Sequence, residues 1–273
     1  MKTGIIIPCY NEEKRLDRNA FQSFIKAHKN YHLCFVNDGS QDQTLEVLKE
    51  IQTTNSNQIS VVNMKRNGGK AEAVRVGANY LHHKVDTEFI GFMDADLSTD
   101  FNDFKGLVHT LQTNSKLDLV FGSRAKEGTG TIEKDGFRQI ISYVINLLIV
   151  FIIGLAIKDT QCGAKVFRAN LVPVLFKKQF VSKWLFDVEM FIRLKNHLGK
   201  ANTVKAIYEQ PLLRWVHMED SKLGLKDSLE IPLRLAAIWY TYAIKDVVLT
   251  DVGHTFEEPQ FEVTNHSVTA VAA

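Results

Sequence analysis

Two aspartates separated by one residue, Asp94-Ala95-Asp96, close the apolar run Phe89-Ile90-Gly91-Phe92-Met93. Alternate residues of a strand point the same way, so both carboxylates would meet at the strand's carboxyl end. Open α/β sheets bind their ligands at that end. Two adjacent negative charges are costly unless a cation sits between them, and oxygen donors suit Mg²⁺ or Mn²⁺. An isolated Asp-x-Asp is a short pattern that also fits a solvated turn, so its meaning depends on what lies beside it.

Three other apolar runs end in polar residues. Ile5-Ile6-Ile7 leads into Pro8-Cys9-Tyr10-Asn11-Glu12-Glu13, and Leu33-Cys34-Phe35-Val36 into Asn37-Asp38-Gly39-Ser40. Ile59 to Val62 is followed by Asn67-Gly68-Gly69-Lys70, which opens a helix running to about His82. Helical periodicity through Leu16, Phe21, Phe24 and Ile25, and through Leu45, Val47, Leu48 and Ile51, fills the intervals, with Asp42 or Ser40 as a cap for the second helix. Strands alternating with helices predict an α/β fold with a mainly parallel central sheet. Every one of these strand ends then lies on one edge, bringing Tyr10, Asn11, Glu12, Asp38, Lys70, Asp94 and Asp96 together. The convergence points to a nucleotide site, yet no Walker A sequence or Gly-x-Gly-x-x-Gly follows the first strand, which disfavours P-loop and dinucleotide readings. A further strand, Leu117 to Phe121, ends in Gly122-Ser123-Arg124, where a guanidinium can hold phosphate oxygens bidentately or pair with Asp118 or Glu127.

Composition narrows the class. Hydrophobic residues make up 45% of the 273 and charged residues 23%, enough for a sizeable core. A formal charge of +2 lacks the basic excess a nucleic-acid binder needs. Cys9, Cys34 and Cys162 are too few and scattered for a disulfide framework or zinc site, which fits a reducing cytosol. The apolar part of the N-terminus is too short for a signal peptide, so no leader or anchor is expected. From Ile140 to Ile157 the chain carries no charge and sits at the threshold of a membrane span. A span would separate Arg124 from everything after Lys158. The expectation is therefore interface helices over about 138–157 and 226–248, or a buried hairpin in the first, with Trp239, Tyr240 and Tyr242 suited to a bilayer surface. One domain over residues 1–250 and a loosely ordered tail over 251–273 complete the expected organisation.

These motifs resemble the family 2 inverting glycosyltransferases, whose fold is GT-A, a Rossmann-like nucleotide-sugar transferase fold. The resemblance rests on Pro8 to Glu13, Asn37 to Ser40 with Asp42 and Thr44, Asn67 to Lys70, and Asp94-Ala95-Asp96. It implies that Pro8, Tyr10 and Glu12 line a base and ribose pocket reached by Asp38, that Lys70 lies near the base or diphosphate, and that Asp94 and Asp96 hold Mg²⁺ or Mn²⁺. Relatives often have Asp at the Asn37 position and, among mannose-transferring ones, Gln at Ser98. Lys158 to Phe167, Trp184 to Glu189 and Ser221-Lys222-Leu223 further resemble the polyprenyl-phosphate sugar transferases, most of all those of the dolichyl-phosphate β-glucosyltransferase type.

That likeness implies transfer of a hexose, glucose from UDP-glucose, to a dolichyl- or undecaprenyl-type phosphate with anomeric inversion. GDP-mannose as donor remains open, as does a sugar hydroxyl acceptor with Asp187 or Glu189 as base. A phosphate acceptor is already anionic and needs no base, only positive charge, for which Arg124, Lys165, His217 and Lys222 are the candidates. Asp96, Arg124 and Asp187 are the expected catalytic residues, Asp187 in an orienting role. The implied partners are a nucleotide sugar, a polyprenyl-phosphate lipid and the cytoplasmic face of a membrane, with an oligomer possible.

Overall fold

The computed structural model describes residues 2–124, 136–214, 225–245 and 261–263. The first half alternates as expected: β1 (Thr3–Cys9), α1 (Arg18–Ala27), β2 (Tyr31–Asn37), α2 (Thr44–Thr53), β3 (Ile59–Met64), α3 (Lys70–Lys84), β4 (Phe89–Phe92), α4 (Phe101–Thr113) and β5 (Leu119–Ser123). Then follow α5 (Gly136–Ile153), β6 (Lys165–Arg168), the short α6 (Val172–Leu175), α7 (Phe186–Leu198), α8 (Lys200–Ala206), β7 (Ile207–Pro211), α9 (Leu225–Tyr240) and β8 (Phe261–Val263). The strands form one sheet in the order β7-β5-β6-β4-β1-β2-β3-β8.

Strand periodicity divides the core in two. Ile5 and Ile7 face one apolar layer with α1, α2 and α4, while Ile6 faces the other with α3, α6 and α7. A strand covered on both faces must be apolar throughout, which is why the Ile5-Ile6-Ile7 run does not alternate. β1, β2 and β3 pair in parallel in that sequence, and α3 then carries the chain back to pair β4 with the other side of β1. Strand order therefore reverses between β1 and β4. Loops leaving the two strands diverge at such a point and leave a crevice.

Three strands go beyond the sequence expectation, one of them within the expected tail. β6 enters antiparallel between β4 and β5, pairing Lys165 with both Phe92 and Phe121. Running the opposite way, it delivers its first residue to the carboxyl edge of its neighbours. A four-residue strand with a cation at each end carries almost no sequence signal. β7 pairs in parallel with β5. In the expected tail, Phe261–Val263 instead joins the sheet beside β3.

The long apolar stretch is also corrected in part. It forms the single helix α5 rather than a hairpin. Ile149 and Ile153 are buried, whereas Leu147, Leu148 and Phe151 are exposed, Phe151 at 79%. α9 packs against α5, burying Leu235 and Ile238 and exposing Leu233, Trp239 and Tyr240. No helix among the described residues is long and apolar enough to cross a membrane.

Gly91 in β4 shows how tightly the added strand is fitted. A Cβ there would run into the Lys165 carbonyl and lie 2.8 Å from Phe104 Cζ. Gly91→Ala should therefore push β4 and β6 apart and lower stability by about 1–3 kcal/mol. Denaturant midpoints check this, and an unchanged midpoint would mean the strand pair can yield without cost.

Candidate active site

A cavity of ≈ 290 Å³ opens where the strand order reverses. Its wall includes Pro8, Tyr10 and Glu12 from the end of β1, Asp38 after β2, Lys70 at the start of α3, and Asp94 and Asp96 after β4. The fold thus brings the five other expected nucleotide-side residues and both aspartates to one place. They come from four separate strand ends and meet only because those strands are parallel.

On the β2 side, Asp38 organises the approach to α3. Its carboxylate accepts hydrogen bonds from the Gly68 amide (2.6 Å), the Gly69 amide (2.8 Å) and the Asn67 side chain (3.1 Å). Burial pushes the Asp38 carboxyl up to about 6, against the opposing pull of the two glycine amides and of Lys183. The Lys70 ammonium stands above its ordinary value: burial lowers it, and Asp94 with the other nearby carboxylates more than offsets that.

The two aspartates are each paired with a cation. Lys70 Nζ lies 2.5 Å from Asp94 Oδ1, and Arg15 Nη2 lies 3.0 Å from Asp96 Oδ2. Asp96 Oδ1 accepts the Ser98 amide at 3.0 Å, and Leu97 between them takes a left-handed conformation with φ of 55°. The far side of Asp94 rests against Gly163, where any Cβ would collide with the carboxylate.

A divalent cation fits this arrangement. Asp94 and Asp96 offer hard oxygens on the wall of one cavity, and the glycine leaves room for the first carboxylate. Among the described residues no three His, Cys, Asp or Glu side chains gather into a protein cage. Such an ion would therefore draw its remaining ligands from substrate oxygens and water, as Mg²⁺ commonly does.

The acceptor-side candidates separate. Lys165 is fully buried, with its Nζ 2.6 Å from Asp187 Oδ1 and 2.7 Å from the Cys162 carbonyl. It faces a carboxylate rather than solvent, which corrects the expectation that it meets a phosphate directly. Burial raises the Asp187 carboxyl, with Lys165 and Lys70 opposing. Glu189 is buried too, accepting the Val181 and Ser182 amides and the Tyr242 hydroxyl. Asp118 stands 3.6 Å from Arg168 and Glu127 lies outside the described residues; the carboxylate of Asp159 faces Arg124. The Arg124 backbone amide, Nε and Nη2 all donate to Asp159, at 3.0, 2.7 and 2.8 Å. His217 and Lys222 lie outside the described residues.

Residues 4–176 match the profile described as Glycosyl transferase family 2. The chain belongs to that family. It is 32% identical over 234 residues to a dolichyl-phosphate beta-glucosyltransferase of Mus musculus, covering 81% of this chain and 69% of the relative. A Saccharomyces cerevisiae protein of the same name is 30% identical, over 88% of this chain and 75% of its own length. Among solved structures, glucosyl-3-phosphoglycerate synthase from Mycobacterium tuberculosis, in complex with Mn²⁺, UDP and glucosyl-3-phosphoglycerate, superposes with a TM-score of 0.64. The two share 18% identity over 88% of this chain and 79% of that one. The fold is GT-A, as the family resemblance implied.

Several contributors to this family 2 site were missed from sequence. Arg15 looked like one of many charged residues before α1, and only the Glu12–Leu16 turn, closed by Glu12 O, aims it at Asp96. Trp184 reaches the cavity from far along the chain because the Lys183 carbonyl accepts the Ala71 amide at 3.1 Å. Glu209 in β7 accepts the Lys158 and Asp159 amides at 2.9 and 2.7 Å, fixing the carboxylate that holds Arg124. None of these has a local signature, since each is defined by a partner at least 50 residues distant or by a turn geometry.

The raised Asp38 value fixes the sign of a pH effect. The folded protein holds this proton more tightly than the unfolded chain, so the stability it brings is lost as pH rises from the ordinary 3.8 to about 6. Asp38→Asn should flatten that part of the pH dependence of Tm. A variant that keeps the full slope between those values would place the titrating group elsewhere.

Proposed function

We propose that this chain transfers glucose from UDP-glucose to a polyprenyl phosphate of the dolichyl type, inverting the anomeric centre. The observation that carries the reading is its likeness to dolichyl-phosphate beta-glucosyltransferases at about 30% identity across most of its length, through the donor-side strand ends and beyond α5. The ligands of the M. tuberculosis synthase, UDP and Mn²⁺ on the same fold, support the donor class.

On this reading Pro8, Tyr10, Glu12 and Asp38 hold the nucleoside, and Lys70 answers the charge of the diphosphate. A Mg²⁺ or Mn²⁺ ion held by Asp94 and Asp96 would supply Lewis-acid stabilisation of the leaving group. A phosphate monoester has its second pKa near about 6, so the acceptor carries an anionic nucleophilic oxygen at neutral pH without help from a base. The enclosure of Asp187 with Lys165 favours this acceptor over a sugar hydroxyl, because a carboxylate sealed against its own ammonium partner is poorly placed to take a hydroxyl proton. Arg124, at the end of β5 and oriented by Asp159, is the proposed anchor for the acceptor phosphate, with His217 and Lys222 as further candidates.

The exposed apolar faces of α5 and α9 support docking on a membrane surface, where the lipid acceptor resides. Leu147, Leu148 and Phe151 on one helix and Leu233, Trp239 and Tyr240 on the other are costly to leave in water. Aromatic side chains with a polar edge, such as Trp239 and Tyr240, suit the headgroup layer.

The test is a panel of UDP-glucose, UDP-galactose and GDP-mannose with polyprenyl phosphate and purified protein. UDP-glucose should yield an acid-labile sugar phosphate that partitions into organic solvent; a water-soluble glycan product would decide for a hydroxyl acceptor. Arg124→Ala should raise the KM for the lipid phosphate by about tenfold or more while UDP affinity holds, since it removes a charge-assisted contact. Equal loss of both would move Arg124 to the donor. Phe151→Ser combined with Trp239→Ser should reduce co-sedimentation with phospholipid vesicles while sparing UDP binding, and undiminished sedimentation would assign the apolar faces another role.

A further inference from the structure

The metal-ligand candidates are already neutralised by the protein itself. Asp94 faces Lys70 and Asp96 faces Arg15, and all four side chains line the same cavity. Neither pair is a free surface contact: the Arg15 and Asp96 side chains are only 24% and 19% exposed. Arg15 also stands 3.6 Å from Glu12 Oε2, so its guanidinium is held between two carboxylates at the mouth of the nucleoside side.

This balance has a thermodynamic consequence. A divalent cation arriving alone must break both ion pairs and then sit beside two displaced cations. A nucleoside diphosphate arriving alone meets Asp94 and Asp96 already beside the cations it needs. When both arrive, the carboxylates pass to the metal and the freed guanidinium and ammonium face phosphate oxygens, so every charge regains a partner. We propose that Arg15 is a counter-ion that exchanges between Asp96 and the donor diphosphate, and that it thereby makes divalent-metal and nucleotide binding depend on one another. The inference rests on the metal role proposed for Asp94 and Asp96 and goes beyond it by assigning a function to Arg15. Coupling of this kind is reciprocal, so it is measurable from either ligand.

Because guanidinium is planar and presents several donors in a fixed fork, it can turn from a carboxylate to a diphosphate without losing hydrogen bonds. The turn that carries it is short: the Arg15 and Leu16 amides both return to Glu12 O, at 2.9 and 3.0 Å. Only side-chain rotation is then required.

The experiment is Mn²⁺ titration followed by electron paramagnetic resonance, with and without UDP, on the wild type, Arg15→Met and Arg15→Lys. No acceptor or turnover is involved. In the wild type UDP should tighten Mn²⁺ binding on the order of tenfold. Arg15→Met should bind Mn²⁺ more tightly than the wild type when UDP is absent, bind UDP more weakly at saturating Mn²⁺, and show a coupling smaller by about fivefold or more. Arg15→Lys should restore part of the coupling, which a purely structural role for the guanidinium would not do. Unchanged affinities and coupling in Arg15→Met, or weaker Mn²⁺ binding in the absence of UDP, would overturn the exchange. A wild type that binds no Mn²⁺ even with UDP would overturn the metal assignment and the exchange with it, whereas success here with no lipid transfer would overturn only the acceptor.

Discussion

Two carboxylates at the end of a buried strand cannot stand side by side uncompensated, and much of this molecule is arranged around that constraint. Each aspartate has its own cation, and each cation comes from a different element: Lys70 from the start of α3, Arg15 from the turn before α1. The start of α3 is in turn held by hydrogen bonds from its backbone amides. Asp38 accepts the two glycine amides that precede Lys70, and the Lys183 carbonyl ties the same helix start to the segment ahead of α7. Opposite charges balanced in this way keep the crevice open to a charged ligand while Asp94 and Asp96 each stay paired in a partly dry site.

The second half of the chain repeats the device at greater depth. Lys165 and Asp187 face each other in the interior, and the ammonium also donates to the Cys162 carbonyl. That carbonyl precedes Gly163, the residue that makes room for Asp94. The buried pair therefore borders the donor side through the backbone, although neither member meets the cavity wall. On the outer strand, Glu209, Asp159 and Arg124 form a chain of hydrogen bonds from backbone amide to carboxylate to guanidinium. A guanidinium fixed in that manner loses less freedom on meeting a phosphate than a solvated one would.

The helices beyond the sheet follow from a different force. α5 is apolar nearly all round, and a globular core can bury only one side of it. Ile149 and Ile153 take the core side, α9 covers part of the rest, and Phe151 with Trp239 remains outside. For a protein whose proposed acceptor has a long hydrocarbon tail, leaving that surface open joins chemistry and location in one place.

The sequence by itself determined the order of strands and helices in the first half, because fully buried parallel strands read as continuous apolar runs and their polar ends as abrupt breaks. It also determined that Tyr10, Glu12, Asp38, Lys70, Asp94 and Asp96 share an edge, since parallel strands leave no other possibility. The likeness that named the family lay in those same ends. Tertiary structure decided the rest. Lys165 carries a phosphate-binding chemistry in its side chain, and only the antiparallel insertion of β6 turns it inward to Asp187. Arg15 and Trp184 become site residues through one turn and one backbone hydrogen bond, neither of which has a periodicity to read. Local pattern records which way a segment buries itself; which ion meets which is set by distances between segments far apart in the chain, and those exist only once the sheet has closed.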